Sequence, residues 1–338
     1  MNRREMLAAS LAAGAPLMLN DRRGRLTPHT LRPAPCEAPR VYTFKLGECE
    51  VTTISDADAV IDGPHPIVGE DQKPELVQAL MRENLLPEKR FQPGFTPTLI
   101  RAGKELILFD TGNGANGFVP RPYGGHLAEQ LRLAGITPGS VTIVVLTHTH
   151  PDHVAGLMED GKPLFPNARY VMGQVEHDFW AKGTWRSADP ESNDYRTGTL
   201  FESHVRPYRD RVTLVRGEGE VVTGIHAVPA YGHTPGHLAF HVESAGQRLL
   251  LWGDCAHHEV ASLAHPEWHA FFDMDKATGA ATRRRIYEMA AKERLPVVGY
   301  HSSFPSVGYV QKLSASSTRP SASSAEYRWV PVTYQFKV

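Results

Sequence analysis

Thr147-His148-Thr149-His150-Pro151-Asp152-His153 places four metal-ligating side chains, His148, His150, Asp152 and His153, within six residues. Imidazole suits zinc and iron, and a carboxylate adds a hard, charged oxygen. The run before the heptad, Val141 to Leu146, is apolar apart from Thr142 and reads as a buried strand. Residues i and i+2 of an extended segment project to one side, so His148 and His150 share a direction. Asp152 and His153 can face elsewhere only if the chain turns, and Pro151 is placed to turn it. The heptad can therefore give two ligands to one ion and two to a neighbour. The plain alternative is a polar loop that happens to be rich in histidine.

Residues downstream weigh against that alternative. Gly232-His233-Thr234-Pro235-Gly236-His237 follows the apolar stretch Ile225 to Ala230, Gly253-Asp254 ends the run Leu249 to Trp252, and Tyr300-His301-Ser302 ends Pro296 to Gly299. Each candidate ligand sits just past an expected strand, where a rigid sheet positions functional loops. The set of His148, His150, Asp152, His153, His233, Asp254 and His301 is too large for one tetrahedral zinc. It suits two ions roughly 3.5–4 Å apart that share a carboxylate and a hydroxide.

In this order the heptad, the Gly-His-Thr-Pro-Gly-His segment, the Gly-Asp pair and the last histidine resemble the metallo-β-lactamase superfamily, from about Tyr42 to the C-terminus. Shorter runs are similar to its methyl parathion hydrolase branch. They are Phe44-Lys45-Leu46-Gly47 with Val51-Thr52, Phe109-Asp110-Thr111-Gly112, Leu164-Phe165-Pro166-Asn167-Ala168, Asp178-Phe179-Trp180, Ser303-Phe304-Pro305 and Tyr327-Arg328-Trp329-Val330-Pro331-Val332. The resemblance implies an α/β fold, the αββα sandwich of two mixed sheets flanked by helices, with a dimetal site at one edge. It assigns His148, His150 and His233 to one ion, Asp152, His153 and His301 to the other, and Asp254 to a bridge. It implies two divalent cofactor ions, Zn2+ first, with Mn2+, Co2+ or Fe2+ as alternatives. A metal-bridging hydroxide would then cleave a lactone, ester or phosphotriester, with Asp254 holding it and Asp152 handling the proton. The fold does not fix the substrate, because function lives in the site.

Composition bounds the partners. The chain has 338 residues, 22% of them charged, and a net charge of −1. That length can bury a substantial core, and that charge gives no basic field for nucleic acid. No run approaches the roughly 20 apolar residues of a membrane span. The expected partner is a small-molecule substrate, with a homodimer allowed. Cys36, Cys49 and Cys255 are too few for a disulfide framework. Cys255 follows Asp254 and reads as buried and non-ligating, since the carboxylate already fills the bridge. At the N-terminus, Arg3-Arg4 precedes an Ala-rich apolar stretch from Met6 to Leu19. This resembles a twin-arginine export leader and predicts a periplasmic or secreted protein, a disordered cytoplasmic start being the alternative. Residues 1–39 are thus read as leader and linker, and 40–338 as a metallo-β-lactamase-like hydrolase domain.

Periodicity and turn residues order the rest. Strands are expected around Gly47-Glu48, across Gly103-Lys104, and over Val212 to Val215, Gly219 to Val228, Leu238 to Val242 and Arg248 to Trp252. Helices are expected over Lys73 to Glu83, His126 to Leu133, His177 to Lys182 and Asp275 to Arg294. Ala181 to Pro207 is polar and reads as a long irregular lid, and Ser314 to Ser324 as a flexible surface loop. Phe118, Trp180 and Tyr195 are the aromatic pocket candidates, suited to an apolar or aryl group. Arg196 departs from a purely aromatic lining. His257, His258, His265 and His269 crowd the stretch after Asp254 without a ligand spacing. Asp110 and His237 read as residues that orient ligands rather than bind metal.

Three functions fit this reading. The first is the dinuclear hydrolase. The second is an oxidoreductase of the mononuclear-iron sulfur dioxygenase type, which needs one iron with open positions. The third is an inactive metal-binding member of the fold, although no ligand is missing. Metal content separates them.

Overall fold

Two seven-stranded sheets form the centre of the computed structural model, which describes residues 39–314 and 325–333 and the backbone of residues 17–20 and 26–29. The first sheet runs in the spatial order Val212–Val215, Arg169–Gly173, Ile143–Val145, Glu105–Phe109, Thr98–Ala102, Cys49–Ile54, Val41–Leu46. Its first four strands pair in parallel and the rest antiparallel. The second sheet runs Glu220–Val222, Ile225–Pro229, Leu238–Ser244, Gln247–Leu251, Pro296–Val298, Val307–Lys312, Tyr327–Pro331, and is antiparallel except where Gln247–Leu251 meets Pro296–Val298.

Alternation along the strands explains the layers. Ile100, Ile107, Phe109, Ile143, Val145 and Val171 meet Ala227, Phe240, Val242, Leu249 and Leu251 in one buried cluster between the sheets. The intervening residues Leu99, Leu106, Leu108, Val144, Tyr170 and Met172 face outward and are covered by Leu127, Leu131, Trp180, Phe201 and Val205. On the far side, Val228, Ala239, Leu250 and Val297 pack against Ile286, Tyr287 and Ala290 of the Lys276–Glu293 helix. Strands buried on both faces need unbroken apolar runs, which is what these are. The result is the αββα sandwich. The long helix begins where Asp275 accepts a hydrogen bond from the Thr278 N–H at 3.0 Å, as an N-cap, and ends at Arg294 with φ +52°.

Several expectations meet a different structure. The polar stretch from Ala181 to Pro207 is largely helical, with a 3₁₀ turn at Thr184–Ser187, an α-helix at Asn193–Leu200 and a π-helical turn at Phe201–Val205. Trp185, Leu200, Phe201 and Val205 stand among polar residues and bury their side chains in the outer core, which orders the segment. Gly219 to Val228 is two strands, because the chain turns at Gly224 with φ +82°. The helix expected from His177 begins earlier, at Gln174. The Arg3-Arg4 leader and the loop over 315–324 lie outside the described residues. Within the region read as leader and linker, Leu17–Asn20 and Leu26–His29 pair antiparallel, and the first of these strands pairs with Val60–Asp62. No helix among the described residues is long and apolar enough to cross a membrane.

Candidate metal centre

The parallel strand Ile143–Val145 delivers the heptad to the edge of the sandwich. His150 is still extended, and Pro151 opens the one-turn helix Pro151–Val154, which swings Asp152 and His153 to a second direction. The other ligand candidates arrive from the second sheet. His233 lies in the loop between Ile225–Pro229 and Leu238–Ser244, Asp254 follows Gln247–Leu251, and His301 follows Pro296–Val298. Two glycines allow this convergence. A Cβ on Gly232, at φ +120°, would collide with the backbone of Gly279, and one on Gly253, at φ +55°, with the His237 ring.

His233 Nε2 lies 3.1 Å from His148 Nε2 and 2.8 Å from His150 Nδ1. His153 Nε2 and His301 Nε2 lie 3.3 and 3.5 Å from Asp152 Oδ2. Asp254 stands between the two sets. Its Oδ2 is 3.2 Å from His233 and 3.0 Å from His301, and its Oδ1 is 3.2 Å from His153. These atoms form two groups that could each hold an ion, His148, His150, His233 and Asp254 in one, Asp152, His153 and His301 in the other, with ligand atoms of a group within 4.8 Å of one another. All seven residues are almost fully buried apart from a sliver of His301. The donor set fits two divalent ions. Three imidazoles meet nitrogen to nitrogen, and His153 Nε2 and Asp254 Oδ1 are buried with no hydrogen-bond partner, which buried polar atoms rarely tolerate without a ligand.

The electrostatics agree. Burial, reinforced by neighbouring histidines, holds His148 and His150 well below the usual imidazole range, so both are neutral and free to ligate. Burial opposes charge on His153 too, but Asp254, Asp152 and Asp110 outweigh it and raise His153 well above that range. Burial acts the same way on His233, where Asp254 and Asp273 prevail and push it up to about 9. The facing histidines, led by His301 and His153, overcome the burial of Asp254 and hold its carboxyl well below the usual range.

A second layer fixes the rings. Asp110, held at φ +57°, places Oδ2 2.8 Å from His153 Nδ1, while its Oδ1 accepts the Thr147 N–H. Asp273 Oδ1 is 3.0 Å from His233 Nδ1, while its Oδ2 accepts from Arg283. The Gly94 carbonyl is 2.8 Å from His301 Nδ1. His237 Nε2 accepts the Asp254 N–H at 3.0 Å, so His237 serves the Asp254 loop. Buried Glu176 accepts from the Thr149 N–H, the Trp180 indole, the Thr234 hydroxyl and the Gly236 N–H, tying the two histidine loops together. Asp273 and Glu176 carried no signal in the sequence, since their partners lie 40 residues away in one case and 27 to 60 in the other for the loop contacts.

A pocket opens onto these groups, lined by Ile61, Ile67, Phe91, Phe95, Phe118 and Phe272, with Asn193 and His257 as its polar side chains beside the ligand candidates. Phe118 is where the sequence reading put it. Trp180 is not: its indole is fully buried in the outer core and bonded to Glu176. Tyr195 packs on Trp185 and lines a wider neighbouring groove together with Arg196. Phe91, Phe95 and Phe272 supply the aromatic lining instead. Of the later histidines, His257 faces the pocket, whereas His265 stacks on Trp268 and His258 bonds the Val260 and Ala261 N–H groups. Cys255 is buried, burial raises its thiol, and it belongs to none of the metal-capable groups among the described residues.

Comparison with known proteins points the same way. An N-acyl homoserine lactonase of Bacillus cereus is 24% identical over 168 residues, which are 50% of this chain and 58% of that protein. The chain therefore spans somewhat over half the length of that curated relative. The solved structure of AidC, a dizinc quorum-quenching lactonase, superposes with a TM-score of 0.77 at 22% identity, covering 88% of this chain and 99% of that one. Hydrolase AbOPH of the beta lactamase superfamily has the same TM-score and coverage at 25% identity. The family model of the metallo-beta-lactamase superfamily matches residues 96–301, from the loop before the Thr98–Ala102 strand to the last histidine of the site. With that match over more than half its length, the chain belongs to the metallo-β-lactamase superfamily.

Proposed function

We propose that the protein is a dinuclear metal-dependent hydrolase that opens a neutral lactone or ester, with phosphotriesters as a secondary class. The observation that carries this reading is Asp254, whose two carboxylate oxygens reach toward both ligand groups at 3.0–3.2 Å. His148, His150 and His233 would hold one ion, Asp152, His153 and His301 the other, and Asp254 both. When bound, the ions supply a water acidified toward neutral pH and a Lewis acid for the substrate's carbonyl or phosphoryl oxygen. Asp152 is held below the usual carboxyl range, since His153 and then His301 outweigh its burial, and so is ionised at neutral pH. Its free oxygen would take the proton given up by the water and return it to the departing alkoxide. The phenylalanine wall would exclude bulk water and hold the apolar part of the substrate. Two complete ligand groups favour this reading over a mononuclear iron oxygenase.

The lining also bears on substrate charge. No Lys or Arg is among the described residues of the pocket, so a substrate carboxylate would have no cationic side chain to pair with there and would compete for the ions themselves. That disfavours β-lactams and agrees with the N-acyl homoserine lactonase activity named for the Bacillus relative. The test is a panel of lactones, aryl esters, phosphotriesters and β-lactams assayed with zinc, manganese and cobalt. Lactones and aryl esters should turn over best, and turnover of β-lactams alone would refute the proposal.

A further inference from the structure

The ligand group of Asp152, His153 and His301 has a support that the other group lacks. Tyr300, buried to 4% exposure, stands one residue before His301 and touches all three members of that group. Its hydroxyl donates to the Asp152 carbonyl at 2.6 Å. Its ring stacks on the His153 ring, with centroids 3.9 Å apart and planes 28° from parallel, and meets the His301 ring edge-on at 5.1 Å. None of its hydrogen bonds or ring contacts among the described residues reaches His148, His150 or His233.

The bond to Asp152 answers a break in the helix. Pro151–Val154 is a single turn. The Gly156 N–H would extend it by bonding the Asp152 carbonyl, but donates instead to the Gly112 carbonyl at 3.2 Å. Asp152 is buried, and buried backbone groups are rarely left unpaired; the Tyr300 hydroxyl supplies the missing donor. One turn has little stability of its own, so the direction of Asp152 and His153 depends on contacts from outside it. The other group is held differently, with Thr147 Oγ1 2.9 Å from His148 Nδ1 and Asp273 Oδ1 3.0 Å from His233 Nδ1. A third cluster, His233, His257 and Asp273, could also hold an ion. It shares His233 with the first group, and Asp273 already meets His233 and Arg283 with its two oxygens, so it is not an independent site.

We infer that Tyr300 is a positioning residue for one ion alone, fixing Asp152, His153 and His301 before metal arrives. The inference rests on the dinuclear reading above. The hydroxyl and ring of Tyr300 set how tightly that second ion is held, and the first ion, on His148, His150 and His233, is indifferent to them.

The test titrates metal-free wild type, Tyr300→Phe and Tyr300→Leu with zinc and with cobalt. Tyr300→Phe keeps the stacked ring and removes only the hydroxyl, whereas Tyr300→Leu removes both. Equilibrium dialysis gives the stepwise dissociation constants. Paramagnetically shifted ring N–H signals of the cobalt forms tell the sites apart, those of His153 and His301 reporting the second ion and that of His233 the first. Wild type should bind two ions. Tyr300→Phe should hold the first ion with wild-type affinity and the second about 10- to 100-fold more weakly, and Tyr300→Leu should be weaker still at that same site. Raising the metal concentration should restore the second equivalent in Tyr300→Phe, which decides the matter alone where Tyr300→Leu fails to fold. An unchanged second constant, or equal weakening of both ions, overturns the inference and leaves the hydrolase reading intact. A wild type that is fully active with one ion overturns both together.

Discussion

On the floor of the site the His153, His233 and His301 rings are each pinned at Nδ1, by Asp110, Asp273 and the Gly94 carbonyl. On the wall above, Phe118 and Phe272 hold each other edge to face at 5.3 Å, and no side-chain polar group exists to fix them. The wall's order comes from its backbone: buried Asp56 accepts from the Asn113 N–H, the Asn113 amide and the Leu127 N–H, which anchors the loop carrying Phe118. Hydrogen bonds constrain ring direction, as metal coordination requires, whereas packing fixes volume and leaves contact chemistry adaptable. The difference teaches how one fold keeps its reaction and changes its substrate. Floor substitutions should therefore act on metal and kcat, and wall substitutions on KM.

The largest effect should follow Asp254→Ala, which removes the one carboxylate shared by both groups. Turnover is expected to fall by at least about 1,000-fold, the scale of a lost Lewis-acid contribution of several kcal/mol. The fold should persist by circular dichroism, since only one ligand side chain is removed. A variant with wild-type kcat and full metal content would mean that the bridge is misassigned.

Next come the supports. Asp110→Asn and Asp273→Asn should each weaken metal affinity about 10- to 100-fold, read by competition with a chelator, with KM nearly unchanged. Affinity equal to wild type in both would remove the distinction drawn between floor and wall.

The floor was legible in sequence and the wall much less so, for a physical reason. Ligands must sit at strand ends in compact motifs, and Asp110 stands in the Phe-Asp-Thr-Gly run that ends the Glu105–Phe109 strand. Wall residues are chosen only by where loops happen to fold. Phe91, Phe95 and Phe272 come from segments with no periodicity, and Trp180 looked available because it lies near the site in a family-like run. Its placement is decided by the Gln174–Ala181 helix, whose inward face buries Glu176 and Trp180 together. The sandwich itself was readable from alternation and apolar runs. The helical Asn193–Leu200 segment was not, because its few anchors are spread among polar residues.

On the wall, Phe118→Ala should raise KM about tenfold for an apolar substrate, the equivalent of partly exposing one buried phenylalanine, with metal content unchanged. Trp180→Phe should leave KM alone and instead lower stability by about 1–3 kcal/mol, because Glu176 loses a buried donor. A KM effect from Trp180 and none from Phe118 would restore the sequence-based pocket.

The smallest signal is a proton count. His233 is pushed up to about 9 in the metal-free chain, so it is protonated at pH 7 and must shed that proton to ligate. Metal uptake by the metal-free chain at pH 7 should release protons into a weakly buffered solution, and the release should diminish as the pH is raised past about 9. Release that does not change across that range would show that His233 carries no extra proton in the metal-free chain.

The proposed dinuclear centre is tested most directly by titrating the metal-free protein with zinc and following bound metal and lactone or aryl-ester turnover together. Two ions per chain at full activity, with activity lost when either is removed, is the predicted result, because the seven candidate ligands divide into two groups with Asp254 between them. Full activity with a single ion bound would contradict it.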